Sequence, residues 1–181
     1  MIYTVFVEDI LLGKVMKMEA SMKWLGMWLI CLWVPGVALS ADKVTTQNIG
    51  MELANDIAKE SVFVCRQAGY QVSAVVVDRF GIVRAVLRDD LAARFTLQIA
   101  KDKANMSVMS GLKSGDFRQK RPDIRQELNH IRGLIVMQRG VPIVSQGIRI
   151  GALGVSGAPG GEKDEKCALK ALHKFEDRLD F

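Results

Sequence analysis

The sequence predicts an α+β fold, a single five-stranded, mainly antiparallel sheet with helices packed on it in the order α-ββ-α-βββ-α. Three observations carry this. Apolar residues recur at helical spacing before, between and after short β-branched runs. The links between neighbouring runs, Asp78 to Gly81, Arg139-Gly140 and Gln146-Gly147, are short enough to force antiparallel pairing. With 181 residues and a hydrophobic fraction of 49%, the chain has room for one domain with a real core.

The first helix is read from Ile49, Leu53, Ile57, Val64 and Ala68, with Thr45 or Thr46 as cap and Gly69 as terminator. Val72 to Val77 and Ile82 to Leu87 form a hairpin across the Asp78-Arg79-Phe80-Gly81 turn. From about Ala93 the period is helical again and places Phe95, Ile99, Met106 and Met109 on one side. A glycine-marked break, Ser110 to Gly115, leads to a charged stretch that can hold one short helix from about Pro122 to His130, with Ile124, Leu128 and Ile131 as its few apolar positions. Three runs follow, Leu134 to Met137, Val141 to Val144 and Arg149 to Val155. After a glycine-rich loop, a last helix gathers Ala168, Leu172, Phe175 and Leu179 on one face.

Residues 1–40 stand outside this domain. Met22-Lys23, the apolar run Trp24 to Val34, Pro35-Gly36 and the small-residue stretch Val37-Ala38-Leu39-Ser40 have the order of an export signal. The expected cut follows Ser40, so the mature domain runs from Ala41 to Phe181. A membrane anchor would need about 20 apolar residues, and Pro35 breaks this run, so no stable membrane insertion is expected after cleavage. Glu8 and Asp9 are unusual in such a signal and suggest translation from Met18 or Met22.

The formal charge is +5. Residues 1–40 contribute three basic side chains (Lys14, Lys17, Lys23) and three acidic ones (Glu8, Asp9, Glu19), so the surplus belongs to the domain. Its densest stretch, Arg118 to Arg132, is mixed with acids and reads as a solvated helix face, with no nucleic acid as partner. Cys65 and Cys167 could pair in an oxidising compartment, but on apolar helix faces they read first as small buried fillers. Their pairing is left open.

Four ordered elements resemble the GlcG/HbpS family, which is related to the C-terminal domain of PduO proteins. They are Val76-Val77-Asp78-Arg79-Phe80-Gly81; Arg88-Asp89-Asp90-Leu91-Ala92; Ala100-Lys101-Asp102-Lys103-Ala104; and Gly140-Val141-Pro142-Ile143 leading to Ile150-Gly151-Ala152-Leu153-Gly154-Val155-Ser156-Gly157 and Asp164-Glu165-Lys166-Cys167-Ala168. The resemblance spans nearly all of the mature chain. It implies a sheet covered by helices, a homo-oligomer, and a tetrapyrrole ligand, with haem as cofactor. It departs from the family in its histidines, since His130 and His173 are the two in the chain and neither lies in a matched motif.

The candidate cofactor-binding residues are Arg88, Asp90, Lys103, Gly154, Ser156 and His130; no catalytic residue is named and any metal ligand is left open. Lys103 falls among apolar helix positions, and a buried ammonium needs a partner. The favoured reading is a salt bridge to Asp89 or Asp90. The functional reading is a polar corner where Arg88 and Lys103 receive carboxylates such as haem propionates. Gly151, Gly154 and Gly157 match neither the dinucleotide nor the phosphate-loop pattern, so they are read as sites of close packing. Ser156 lacks the Gly-x-Ser-x-Gly elbow. Met106, Met109 and Met137 fit a core better than an iron site.

The leading expectation is an exported binding protein that holds or senses haem or a related tetrapyrrole as a homo-oligomer. Two others stand beside it: a cofactor-free accessory subunit for a periplasmic oxidoreductase, and an enzyme acting on a small anionic metabolite.

Overall fold

The computed structural model describes residues 44–137 and 140–180. The export-signal reading therefore lies outside the described residues. The elements are α1 (Met51–Gln67), β1 (Ser73–Asp78), β2 (Val83–Arg88), α2 (Thr96–Ser110), α3 (Ser114–Lys120), α4 (Arg125–Asn129), β3 (Gly140–Ser145), β4 (Ile148–Ser156), α5 (Gly161–His173) and α6 (Glu176–Leu179). The strands form one antiparallel sheet in the order β2-β1-β4-β3. Among the described residues no helix is long and apolar enough to cross a membrane.

The α+β class and the β1–β2 and β3–β4 hairpins stand, but among the described residues the sheet has four strands rather than five. Leu134 to Met137 forms no strand. Val136 instead buries its side chain against Met106 and Phe117, and its N–H donates to Asn129 Oδ1 at 2.7 Å. An apolar run this short satisfies its backbone locally and plugs the gap below α2 and α3.

The N-terminal boundary also moves. Ile49 lies in an extended lead whose N–H donates to the Ile150 carbonyl, and α1 begins at Met51 with Gly50 as its cap, so neither threonine caps it. Its buried stripe is Ala54, Ile57, Ala58, Ser61, Val62 and Cys65. Gly69 ends the helix at φ +82, a left-handed conformation that glycine adopts without strain. The charged stretch yields two short helices. α3 falls where a break was expected and stops before Pro122, which disfavours helical geometry at Arg121.

The sheet carries two unequal layers. On one face α1, α5 and α6 cover a large core containing Ile57, Val62, Val76, Ile143, Leu153, Val155 and Leu172. On the other, α2 packs on Val75, Val77 and Ala152 through Ala100, Ala104 and Val108. The predicted apolar face of α2 holds at Met106, which is fully buried, and is corrected at its two ends. Phe95 is 67% and Met109 47% exposed, whereas Ala100, Lys103, Ala104 and Ser107 are buried.

Close approach explains the change. A Cβ on Gly154 would collide with the Ala100 carbonyl, and one on Gly140 with the Lys103 carbonyl. Helix backbone rests directly on strand backbone at both points, which excludes bulky side chains from that stripe. Gly154→Ala should therefore cost about 3 kcal/mol, the upper part of the usual overpacking range. Gly50→Ala, where the nearest atom to an added Cβ is a carboxylate oxygen 3.9 Å away, should cost about 1 kcal/mol or less, the difference between glycine and alanine as a helix cap. Urea melts of the two variants measure the contrast.

Cys65 and Cys167 are not separate fillers. They are joined by a disulfide, with their Cα atoms 5.4 Å apart, because α1 and α5 lie side by side on the same face of the sheet. The bridge closes a loop spanning 102 positions, for which the chain-entropy model gives a stabilisation of about 4–5 kcal/mol. Reduction under native conditions should lower the melting temperature by roughly 10–20 °C. An unchanged melt with both thiols titratable would contradict this.

Candidate functional site

At the C-terminal end of β4 a cleft of about 300 Å³ opens between α2, α3 and the loop leading into α5. Thr96, Ile99 and Lys103 come from α2, Arg118 from α3, Ser156 from β4, and Asp164 from the first turns of α5. Met137 also lines it and is 46% exposed. The Gly157 to Gly161 loop borders the cleft, with Gly157 at φ +137, where an added Cβ would collide with the Gln71 carbonyl.

Lys103 organises one wall. It is 3% exposed, and its Nζ donates to Asp164 Oδ2 at 2.8 Å and to the Val155 carbonyl at 3.0 Å. The other carboxylate oxygen of Asp164 accepts the Ala158 N–H at 2.9 Å, which fixes the glycine loop. Removing one partner of such a pair strands a buried charge, at a cost of about 3–5 kcal/mol. Thr96 Oγ1 donates to the Ala93 carbonyl at 2.6 Å and lies 2.8 Å from Ser73 Oγ. No described carboxylate pairs with Arg118, so it is the cleft's uncompensated cation.

The predicted site residues separate. Lys103 and Ser156 line the cleft. Gly154 lies under α2 in the same strand, in the close packing expected of it. The salt bridge expected for Lys103 exists, but its partner is Asp164 rather than Asp89 or Asp90. Asp89 is held instead by Arg66, whose Nε donates to Oδ2 at 3.0 Å, and Arg88 Nη1 donates to the Ala92 carbonyl at 2.8 Å. Arg88, Asp90 and His130 are exposed and are not among the cleft residues.

Reading along the chain missed Asp164, Arg118 and Met137. In the sequence Asp164 stands only as part of the fourth resemblance element, Arg118 as part of a solvated face and Met137 as core. Only the fold brings them to Lys103 and Ser156, so spacing could not have revealed them. Ser156 has no histidine among the described cleft residues, and both Asp164 oxygens are committed. The arrangement can therefore bind and orient an anion, but it holds no activated nucleophile. Among the described residues no group of three or more His, Cys, Asp or Glu could hold a metal ion.

Two carboxyls outside the cleft brace the hairpin ends. The Arg66 hydrogen bond holds the Asp89 carboxyl below its ordinary value against the opposing effect of burial. Burial is the largest influence on Asp78 and acts upward, but the combined hydrogen bonds from the Ile82 and Phe80 N–H groups and Asn48, with the Arg84 charge, bring it below its ordinary value. Depressed folded-state values mean that their stabilisation is full above the unfolded value, near pH 4, and is lost as pH falls through the folded one. Asp89→Asn should destabilise the protein at pH 7 and shrink the difference in melting temperature between pH 7 and pH 2.5. An identical difference in both proteins would contradict this.

Comparison with known proteins places this geometry in a family. No curated protein matches the chain. Among solved structures, it is similar to a double mutant of HbpS from Streptomyces reticuli, at 26% identity over 77% of this chain and 95% of that one, with a TM-score of 0.70. It is also similar to the Klebsiella pneumoniae protein ORFY, at 24% identity over 75% and 98%, with a TM-score of 0.66. A PduOC–haem complex shares the fold at 22% identity over 70% and 94%, with a TM-score of 0.64. The family model described as "Haem degrading protein HbpS-like" matches residues 49–173, and the chain belongs to that family.

Proposed function

We propose that this protein is an exported, homo-oligomeric binding protein that holds or senses haem or a related tetrapyrrole in the cleft at the end of β4. The observation that carries this reading is an uncompensated guanidinium, Arg118, facing a cleft that also offers the Met137 thioether and the apolar side chain of Ile99. A guanidinium is matched to a carboxylate such as a propionate. A thioether is among the axial ligands that haem proteins use. Family membership and the haem complex of PduOC support the same ligand class.

Arg118 would receive a propionate and Met137 would face the iron, while the Lys103–Asp164 pair holds the loop in place. When bound, haem would supply a redox-active iron centre, and the residues of this chain bind and orient it. A volume of about 300 Å³ is at the lower limit for organic ligands. A second subunit would complete the wall, and Leu91 and Phe95, 82% and 67% exposed beside the start of α2, are suited to that contact. The disulfide fits an oxidising compartment and so favours export.

Haemin titration of protein recovered from the periplasm, with the mass of residues 41–181, tests the proposal. The expected result is a saturable Soret change, about tenfold weaker in Arg118→Ala, altered in band position by Met137→Leu, and unaffected by His130→Ala and His173→Ala. A featureless, non-saturating change would overturn it in favour of the cofactor-free accessory subunit. Consumption of the ligand would point to an enzyme.

A further inference from the structure

A second cavity, of about 510 Å³, lies at the opposite end of α2. The β1–β2 turn contributes Arg79, Phe80 and Gly81; the loop after α4 contributes Arg132, Gly133 and Leu134; α2 contributes Asn105, Val108 and Met109; and β4 contributes Arg149. Three guanidiniums thus line one cavity with no carboxylate among its lining residues.

Their charge is not neutralised elsewhere. Among the described residues the Arg79 guanidinium donates to the Gln47 carbonyl, at 3.3 Å, and rests over the Phe80 ring with its carbon 5.8 Å from the centroid. No described carboxylate pairs with Arg132 or Arg149. The Nε of Arg149 is buried without a hydrogen-bond partner, and its Nη1 occupies the space that a Cβ on Gly111 would need, 2.8 Å from that position. That position restricts the guanidinium's freedom to swing into bulk water, although a charged group with an unmet donor is costly to keep. Surface arginines normally pair or stay fully hydrated, and three converging without an acid is the pattern of an oxyanion site.

The remaining lining decides the kind of anion. Phe80, Val108, Met109 and Leu134 add apolar surface to the same lining, with Phe80 under the Arg79 guanidinium. Inorganic phosphate would satisfy the arginines and leave that surface unused. We propose that the cavity binds a small organic dianion, a phosphomonoester or a dicarboxylate, with its charged groups on Arg79, Arg132 and Arg149 and its apolar body against Phe80 and Met109. This site shares no lining residue with the β4 cleft, so it stands whether or not that cleft takes haem.

Calorimetric titration at low salt with phenyl phosphate, succinate and inorganic phosphate tests it on the full-length mature protein. The expected result is saturable binding of phenyl phosphate or succinate, whichever binds naming the head group, and at least fivefold weaker binding of inorganic phosphate. Arg132→Ala, on an exposed loop, should weaken the organic ligand about tenfold without altering the circular dichroism melt. Arg149→Lys, which retains charge but loses the planar fork, should weaken it severalfold. Arg118→Ala should leave this binding unchanged, and Arg132→Ala should leave the haemin titration unchanged. Absence of binding by both organic probes, or affinities equal in native protein and Arg132→Ala, would overturn the proposal; equal affinity for phenyl phosphate and inorganic phosphate would overturn its organic ligand.

Discussion

The contact between the α2 backbone and the strand backbone at Gly140 and Gly154 governs both ends of the molecule. A helix held at ordinary distance from a sheet packs through side chains throughout, but here two positions beneath α2 are glycine and the helix answers with Ala100, Ala104 and Ser107. The helix consequently sits low enough for the Lys103 stem to pass beside it and reach the Val155 carbonyl and Asp164. The same depth leaves Asn105, Val108 and Met109 facing the β1–β2 turn at the other end. Both cavities are products of one close approach.

Much of the fold was legible because it is written locally. The β1–β2 hairpin follows from Asp78, whose carboxylate accepts the N–H groups of both Phe80 and Ile82 at 2.9 Å, a turn device visible in the order Asp-Arg-Phe-Gly. The end of α1 at Gly69 is equally local. Errors arose where tertiary contact overrode periodicity. Phe95 and Met109 have helical spacing yet point outward, because the stripe under α2 admits only small residues. Leu134 to Met137 has strand composition yet fills a gap between helices. Cys65 and Cys167 are far apart in the chain, and only the pairing of α1 with α5 brings them together.

The candidate cleft was half legible for the same reason. Lys103 announced itself as a charge on an apolar face, and Ser156 as the end of a glycine-bearing strand. Their neighbours come from α3, α5 and the segment before β3, and each of those residues carries an adequate local explanation when read alone. Asp164 in the first turn of α5 complements the helix dipole and still turns its carboxylate to a lysine 61 residues away. A local explanation that is true can conceal a long-range one.

Charge compensation separates the two cavities in kind. In the β4 cleft the most deeply buried cation is matched by a carboxylate and a carbonyl, so the Lys103–Asp164 pair acts as a structural fixture and leaves ligand recognition to Arg118 at its side. In the arginine cavity no such fixture is among the lining residues, and three guanidiniums share a partly apolar space in which like charges disfavour one another. Repulsion of this kind weakens the folded state when the cavity is empty and is relieved when an anion enters, so folding and anion binding are coupled through the same charges. The disulfide across the far face of the sheet, together with the Asp78 and Asp89 braces, supplies stability that can tolerate that uncompensated charge.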